Sequence, residues 1–321
     1  MSSLAMVYAA YKRIQPVVRR TPLLSSPFLD EIAGRKVFVK SECLQHTGSF
    51  KFRGAYSALS GLAEAKRLGG VIAFSSGNHA QGVALAASMH GVSAVIIMPA
   101  DAPSMKIENT KALGAEVVLY DRATEDRDEI GERLSRERGL TLIKPFDEPL
   151  VIAGQASVGL EIAQQCEASQ AEVLVPCGGG GLTSGIALAL SEVQPNWRVR
   201  PIEPEGFDDA TRSLVSGKRE ENERRDGSIC DAIITPSVGA ITFPIMQQHC
   251  GAGIVVTEDE AMQAMALAFK HLKLVLEPGG AVALAAALFH QQALTAETVI
   301  AIASGGNVDA DMFTRALSSY A

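Results

Sequence analysis

Short β-favouring runs alternate along this chain with longer stretches whose apolar positions recur at helical spacing. The runs 36–40 (KVFVK), 71–75 (VIAFS), 94–99 (AVIIMP), 116–120 (EVVLY), 172–176 (EVLVP), 254–257 (IVVT) and 298–304 (TVIAIAS) predict strands. Between them, 78–91 and 103–114 predict helices; both end in Gly, the usual helix stop, and the second opens on Pro. Such alternation predicts an α/β fold built on parallel sheet covered by helices on both faces. Ligands of such sheets gather at the carboxyl ends of strands. The unusual loops fall there: SSGNH after 71–75, CGGGG after 172–176 and SGGNVD after the last run.

Composition narrows the class. The chain has 321 residues, 47% of them hydrophobic, 20% charged and 29 of them Gly, which suits an aliphatic α/β enzyme and argues against disorder. A length of this order implies two lobes, with no boundary visible in composition; a large domain from 1–69 and 148–321 and a small, substrate-side domain from 70–147 are what the resemblance given below implies. A net charge of −7 provides no basic footprint for nucleic acid or an anionic membrane. The five cysteines, an odd number without CxxC spacing, suggest neither a disulfide framework nor a zinc site. The first residues lack the layout of a signal peptide, and no apolar run nears the ~18 residues of a membrane span, so a cytoplasmic protein is expected. The mixed charge run GKREENERRDG (217–227) reads as a solvated loop.

Two stretches carry the chemistry. In PCGGGGLTSG (176–185), four glycines lie between a strand and a helix. Without Cβ atoms, their N–H groups can converge on an anion at a helix N-terminus. The run is neither GxxxxGK[ST] nor a clean GxGxxG, so a monophosphate fits it better than a nucleotide. In HTGSFKFRGA (46–55), a single lysine, Lys51, stands among small, polar and aromatic residues. Alone it reads as an ordinary surface lysine; with the phosphate cradle it reads as an amine placed for covalent chemistry.

The ordered set LQHTGSFKFRGA, SSGNHAQG, GGGGL, LEPGGAVALAA and SGGNVD resembles the threonine/serine dehydratase and serine racemase family of fold type II (tryptophan-synthase-β-like) pyridoxal phosphate enzymes, over nearly the whole chain. The resemblance implies two open, mostly parallel twisted sheets flanked by helices. It also implies a pyridoxal 5'-phosphate cofactor, a small amino-acid substrate and a homodimer. It makes Lys51 the Schiff-base lysine and Phe50 the residue packed on the pyridine ring. Asn78 becomes the partner of the ring hydroxyl, Ser304 the group facing the ring nitrogen, and Gly178, Gly179, Gly180, Gly181 and Leu182 the phosphate loop. A neutral hydroxyl at 304 leaves the ring nitrogen unprotonated, which suits β-elimination. Ser76, Asn78 and His79 are placed to hold the substrate carboxylate, with helix capping as the alternative use of Ser and Asn. Arg53 has a supporting role.

Departures from the family pattern bear on substrate. Ser76 is the residue of serine racemases where threonine dehydratases carry Ala; Lys51 and Ser76 could serve opposite faces of a planar intermediate. Arg127 aligns with an arginine of racemases and 3-hydroxyaspartate dehydratases that could meet a distal carboxylate; the alternative is a solvated helix position. EPEGFDD (203–209) resembles a divalent-cation loop, in which Glu203, the carbonyl of Phe207 and Asp209 suit Mg²⁺, or Ca²⁺ or Mn²⁺. The chain ends soon after SGGNVD, which leaves no room for the regulatory domain of biosynthetic threonine dehydratases. The expected activity is dehydration of L-serine, L-threonine or a related β-hydroxy amino acid to a 2-oxo acid and ammonia. Serine racemization with side elimination and 3-hydroxyaspartate dehydration are the alternatives, and a non-catalytic sensor of a phosphate ligand is the reading from another class.

Overall fold

The structure is a computed structural model that describes residues 3–320 other than Ser76, Pro103 and Arg122. Its strands are β1 (Leu23–Ser25), β2 (Lys36–Lys40), β3 (Val71–Phe74), β4 (Ala94–Pro99), β5 (Glu116–Tyr120), β6 (Thr141–Leu142), β7 (Glu172–Pro176), β8 (Arg198–Pro204), β9 (Ile254–Val256) and β10 (Thr298–Ile302). Four of the predicted strands keep their bounds. The runs at 71–75, 254–257 and 298–304 stop one or two residues early because their last polar residues have other work. Thr257 becomes the N-cap of the helix Glu258–Leu272, in a capping box with Glu260, and Ser304 faces the cavity described below.

Strands β1, β6 and β8 were not foreseen. β1 and β6 are too short to show a period. β8 holds Pro201, Pro204 and two arginines, a composition that argues against an interior strand, yet it pairs with both β7 and β9. Arg200 is tolerated there because it bonds Glu172 at 3.2 Å and the carbonyls of Ala252 and Ala293. The helices predicted at 78–91 and 103–114 are Asn78–Met89 and Ser104–Ala112. The run 217–227 is exposed and irregular, with one exception: Asn222 is buried and donates to Asp209 at 2.6 Å.

The strands form a six-stranded sheet, ordered β1-β2-β10-β7-β8-β9, and a four-stranded sheet, ordered β5-β4-β3-β6. All pairings are parallel except β1 with β2. In the larger sheet Val299 and Ala301 of β10 face one core, with the helix Pro278–Phe289, while Ile300 and Ile302 face another, with the helix Gly181–Val193. Both faces are therefore dry, as expected for parallel sheet. Because β2, β10 and β7 are adjacent and parallel, their carboxyl ends deliver the Lys51 segment, Ser304 and the glycine loop to one edge.

The segment leading from β2 to Lys51 is tied down by buried charge. Arg53 grips Glu42 (Nε–Oε2 2.7 Å, Nη2–Oε1 2.9 Å) and Glu161 (Nη1–Oε1 2.7 Å, Nη2–Oε2 2.9 Å). Lys40, the last residue of β2, completes the set at 2.6 Å from Glu161. Arg53, Glu42 and Lys40 have no exposed surface and Glu161 almost none. Two cations thus meet two anions, and each guanidinium contact is a planar fork on a carboxylate. Burial pushes the Glu42 carboxyl up, but Arg53, Lys40 and the Thr21 hydroxyl together outweigh it and leave it below the usual range. Arg53→Met would leave the buried Glu42 without its paired cation and Glu161 with Lys40 alone; the expected loss is about 3–5 kcal/mol, read from the urea unfolding midpoint, and a change within error would show that the network is dispensable.

Candidate active site

A cavity of about 510 Å³ opens between the two sheets at their strand ends. Phe50, Lys51, Asn78, His79, Arg127, Gly178 to Leu182 and Ser304 all line it. Ser76, which the sequence places beside them, lies outside the described residues.

Lys51 begins the helix Lys51–Gly61, and its amine donates to the carbonyl of Pro145 at 3.1 Å. It sits 5.3 Å from the centre of the Phe50 ring. Burial lowers the amine to about 8, against the opposing pull of Glu277. A neutral, nucleophilic lysine is therefore accessible near physiological pH. The backbone of Phe50 is pinned to β10 through a bond from its N–H to the carbonyl of Ser304, at 3.1 Å.

The glycine loop follows β7. Gly180, at φ +84°, is the N-cap of the helix Gly181–Val193, a left-handed conformation that glycine adopts without cost. Phe146 covers Gly179 and Gly181 so closely that no Cβ fits at either, and a Cβ at Gly178 would lie 2.8 Å from the carbonyl oxygen of Ile233. On the far side Thr242 donates to the carbonyl of Gly179 at 2.7 Å. With that carbonyl turned away, the loop's N–H groups and the first turn of the helix are left for an anion.

Asn78 is locked by two neighbours. Its Nδ2 donates to Glu277 at 2.6 Å, and its Oδ1 accepts from Asn307 at 2.7 Å. The carboxyl of Glu277 is pushed up to about 8 by burial; the Asn78 bond, Lys106 and Lys51 lower it, and Asp231 raises it. Ser304 is 3% exposed and its hydroxyl has no hydrogen-bond partner among the described residues. An unpaired hydroxyl in a polar cavity suits a ligand atom.

The imidazole of His79 is already engaged. Its Nε2 donates to the carbonyl of Ile143 at 2.9 Å, and burial, reinforced by Lys51, lowers the imidazole to about 3. The ring is neutral and engaged, so it gives no positive charge to a carboxylate. The segment also offers backbone: the helix Asn78–Met89 has Gly77, which carries no side chain, as N-cap, and among the described residues no side chain is bonded to its first-turn N–H groups, which suit an anion.

The three residues of the expected metal loop lie elsewhere. None of Glu203, Phe207 and Asp209 lines the cavity. Glu203 is fully buried and accepts from the N–H groups of Ala210 and Thr211 at 2.8 and 2.7 Å. Asp209 accepts from Asn222 and from the N–H of Val238 at 2.7 Å. Burial raises Glu203 to about 8, with Asp209 adding to it, and burial raises Asp209 to about 6.

Several residues of the site escaped sequence reasoning. Glu277, which lines the cavity, and Asn307, which bonds Asn78, stand within the quoted stretches LEPGG and SGGNVD, and Glu277 has a local signal, a carboxylate directly before the Pro that starts a helix. Lys106, Lys144, Phe146 and Asp231 give no such signal, because only the fold brings them here.

Comparison with known proteins agrees with this geometry. Residues 14–305 match the model of the family described as pyridoxal-phosphate dependent enzyme. The chain is 41% identical over 317 residues to an L-threo-3-hydroxyaspartate ammonia-lyase of Pseudomonas sp, covering 99% of each. Among solved structures it is similar to maize serine racemase (TM-score 0.92, 35% identity, 99% of this chain and 97% of that one). It is also similar to the serine racemase of Dictyostelium discoideum (TM-score 0.89, 38% identity, 96% and 99%). A buried lysine, a glycine cradle and an unpaired hydroxyl at one sheet edge, together with these matches, place the chain in the pyridoxal-phosphate dependent enzyme family.

Proposed function

We propose that this chain is an ammonia-lyase that removes the β-hydroxyl and the amino group of a small β-hydroxy amino acid, leaving a 2-oxo acid. The observation that carries the reading is the meeting of the Lys51 amine, the glycine loop, Asn78 and Ser304 in one cavity. These residues fit pyridoxal phosphate: Lys51 would hold it covalently, Gly178 to Leu182 its phosphate, Asn78 its ring hydroxyl and Ser304 its ring nitrogen, with Phe50 against the ring. When bound, the cofactor supplies an electron sink that acidifies the substrate's α-hydrogen. Residues 70–147 act as a substrate-side domain. In it, the first-turn amides of Asn78 and His79 orient the α-carboxylate, while Lys51 Nζ is the base that removes the α-proton. Phe146 and Pro145 wall off one side from water. The expected homodimer is part of the same reading, and light scattering reads it directly.

Serine racemization is the second reading. Ser76 stands in the chain where a second acid/base group is needed, and the likeness to maize serine racemase spans nearly the whole chain.

The deciding assay supplies pyridoxal phosphate and Mg²⁺ and offers L- and D-serine, L-threonine and the 3-hydroxyaspartate isomers. Oxo acid and ammonia without inversion of the remaining substrate are expected; rapid formation of the opposite enantiomer would make the protein a racemase, and no turnover of any of them would end the lyase reading.

Capture of the cofactor by Lys51 requires the free amine. With the amine lowered to about 8, the rate at which cofactor-free protein gains its near-ultraviolet absorbance should climb between roughly pH 7 and 9 and then level off. A rate still climbing steeply through pH 10 would show an ordinary lysine, and Lys51→Ala should show no band.

Two buried carboxylates raised together also fit a divalent cation, and Glu203, Asp209 and the Phe207 carbonyl are the residues that would hold it. Protons and metal compete for these groups, so affinity should strengthen as pH rises past about 6 for Asp209 and about 8 for Glu203. Mg²⁺ or Ca²⁺ should raise the thermal midpoint of the protein at pH 8 more than at pH 6, and Asp209→Ala should abolish the effect. Equal midpoints with metal and with chelator at pH 8 would remove the site.

A further inference from the structure

At the outer wall of the cavity, Lys106 faces Asp231 across 3.5 Å. The lysine comes from the helix Ser104–Ala112, beside the four-stranded sheet; the aspartate comes from the loop before Ile233, which packs on the glycine loop of the six-stranded sheet. The pair thus bridges the two halves of the cavity wall. It is lopsided: the Lys106 side chain is 18% exposed and that of Asp231 63%.

A contact of this length, at the limit of hydrogen bonding and with one partner in solvent, is weak. Asp231 is therefore easily replaced by another carboxylate presented from inside the cavity. Asp147, the nearby carboxylate of the wall, has no such freedom, because it accepts from the N–H groups of Ala240, Ile241 and Thr242. Lys106 also reaches the reacting region electrostatically, since it and Asp231 act in opposite senses on Glu277, the partner of Asn78. Arg127 and Lys144 line the same cavity and add positive charge.

We propose that Lys106 is a specificity residue for a distal carboxylate on the substrate, and that Asp231 is the carboxylate it releases in exchange. A dicarboxylic β-hydroxy amino acid takes Lys106 from Asp231; a substrate with an uncharged side chain leaves the pair closed. The inference rests on the amino-acid lyase reading for the substrate's α-amino chemistry, but recognition of the distal carboxylate is tested without turnover.

Succinate has the same carboxylate spacing as 3-hydroxyaspartate, and succinamate replaces one carboxylate by an amide. Their dissociation constants are measured on the pyridoxal-phosphate-loaded enzyme by calorimetry, with the cofactor absorbance as a check on folding. Loss of one charge-assisted hydrogen bond is worth about tenfold or more, so Lys106→Gln should cut the preference for succinate over succinamate by about that factor. Lys106→Arg should retain most of the preference, and Asp231→Asn should increase it by removing the competitor. An unchanged ratio in Lys106→Gln overturns the proposal. So does a loss of preference in Asp231→Asn as large as in Lys106→Gln, since the pair would then be a structural clasp. An enzyme that turns over no β-hydroxy amino acid yet shows the Lys106-dependent ratio would defeat the lyase reading and leave this inference standing.

Discussion

The four-charge cluster of Lys40, Glu42, Arg53 and Glu161 is the constraint on which the site depends. Burying one such charge alone is prohibitive, and burying two opposed pairs is tolerable only if every fork and carboxylate meets its partner. That demand fixes the end of β2, the 3₁₀ turn at Glu42–Leu44 and the first turn of the helix Lys51–Gly61 against the helix Ser157–Gln165. The lysine two residues before Arg53 inherits the placement. A flexible side chain thus begins from a backbone that has few alternatives.

Around that anchor, the larger sheet supplies direction. Parallel strands send all their carboxyl ends to one edge, and β10, between β2 and β7, carries Ser304 to the middle of it. Close approach of backbones then matters more than side-chain chemistry. Gly280 packs against Gly305 with no space for a Cβ, which lets the buried helix Pro278–Phe289 press Glu277 towards Asn78. The polar chain Glu277–Asn78–Asn307 connects the two sheets' loops, so the amide meant for a ligand has a fixed orientation before any ligand arrives. Preorganisation of this kind lowers the cost of binding and of reaction.

The same cavity shows how charge is apportioned between chemistry and recognition. Deep inside, burial brings a lysine and a glutamate to about 8 from opposite directions, so both sit near the protonation boundary at working pH. His79 is driven the other way and stays neutral. Towards the mouth, Lys106 and Asp231 face each other in partial contact with water. Under the proposed function, proton chemistry falls to Lys51 and selection among substrates to Lys106 and Asp231.

Local sequence was enough for four strands, KVFVK, AVIIMP, EVVLY and EVLVP, for the helices followed by glycine, and for two stretches of the site, GGGGL and SFKFRG. These are local signals: hydrophobic period, missing Cβ atoms and the order of short motifs are all present in neighbouring residues. It also pointed to Asn78 and Ser304, through stretches that resemble known enzymes. The remainder came from contacts between distant parts of the chain. β8 pairs on both sides in spite of two prolines, because Arg200 finds Glu172 and two carbonyls far along the chain. The imidazole of His79 is taken up by a carbonyl 64 residues away, and Lys106 meets an aspartate 125 residues distant. Asn222, in a run that reads as solvent-exposed, is drawn inside by Asp209. In each case burial raises the stakes of an unmet polar group, and the partner that meets it is close in space but not in sequence.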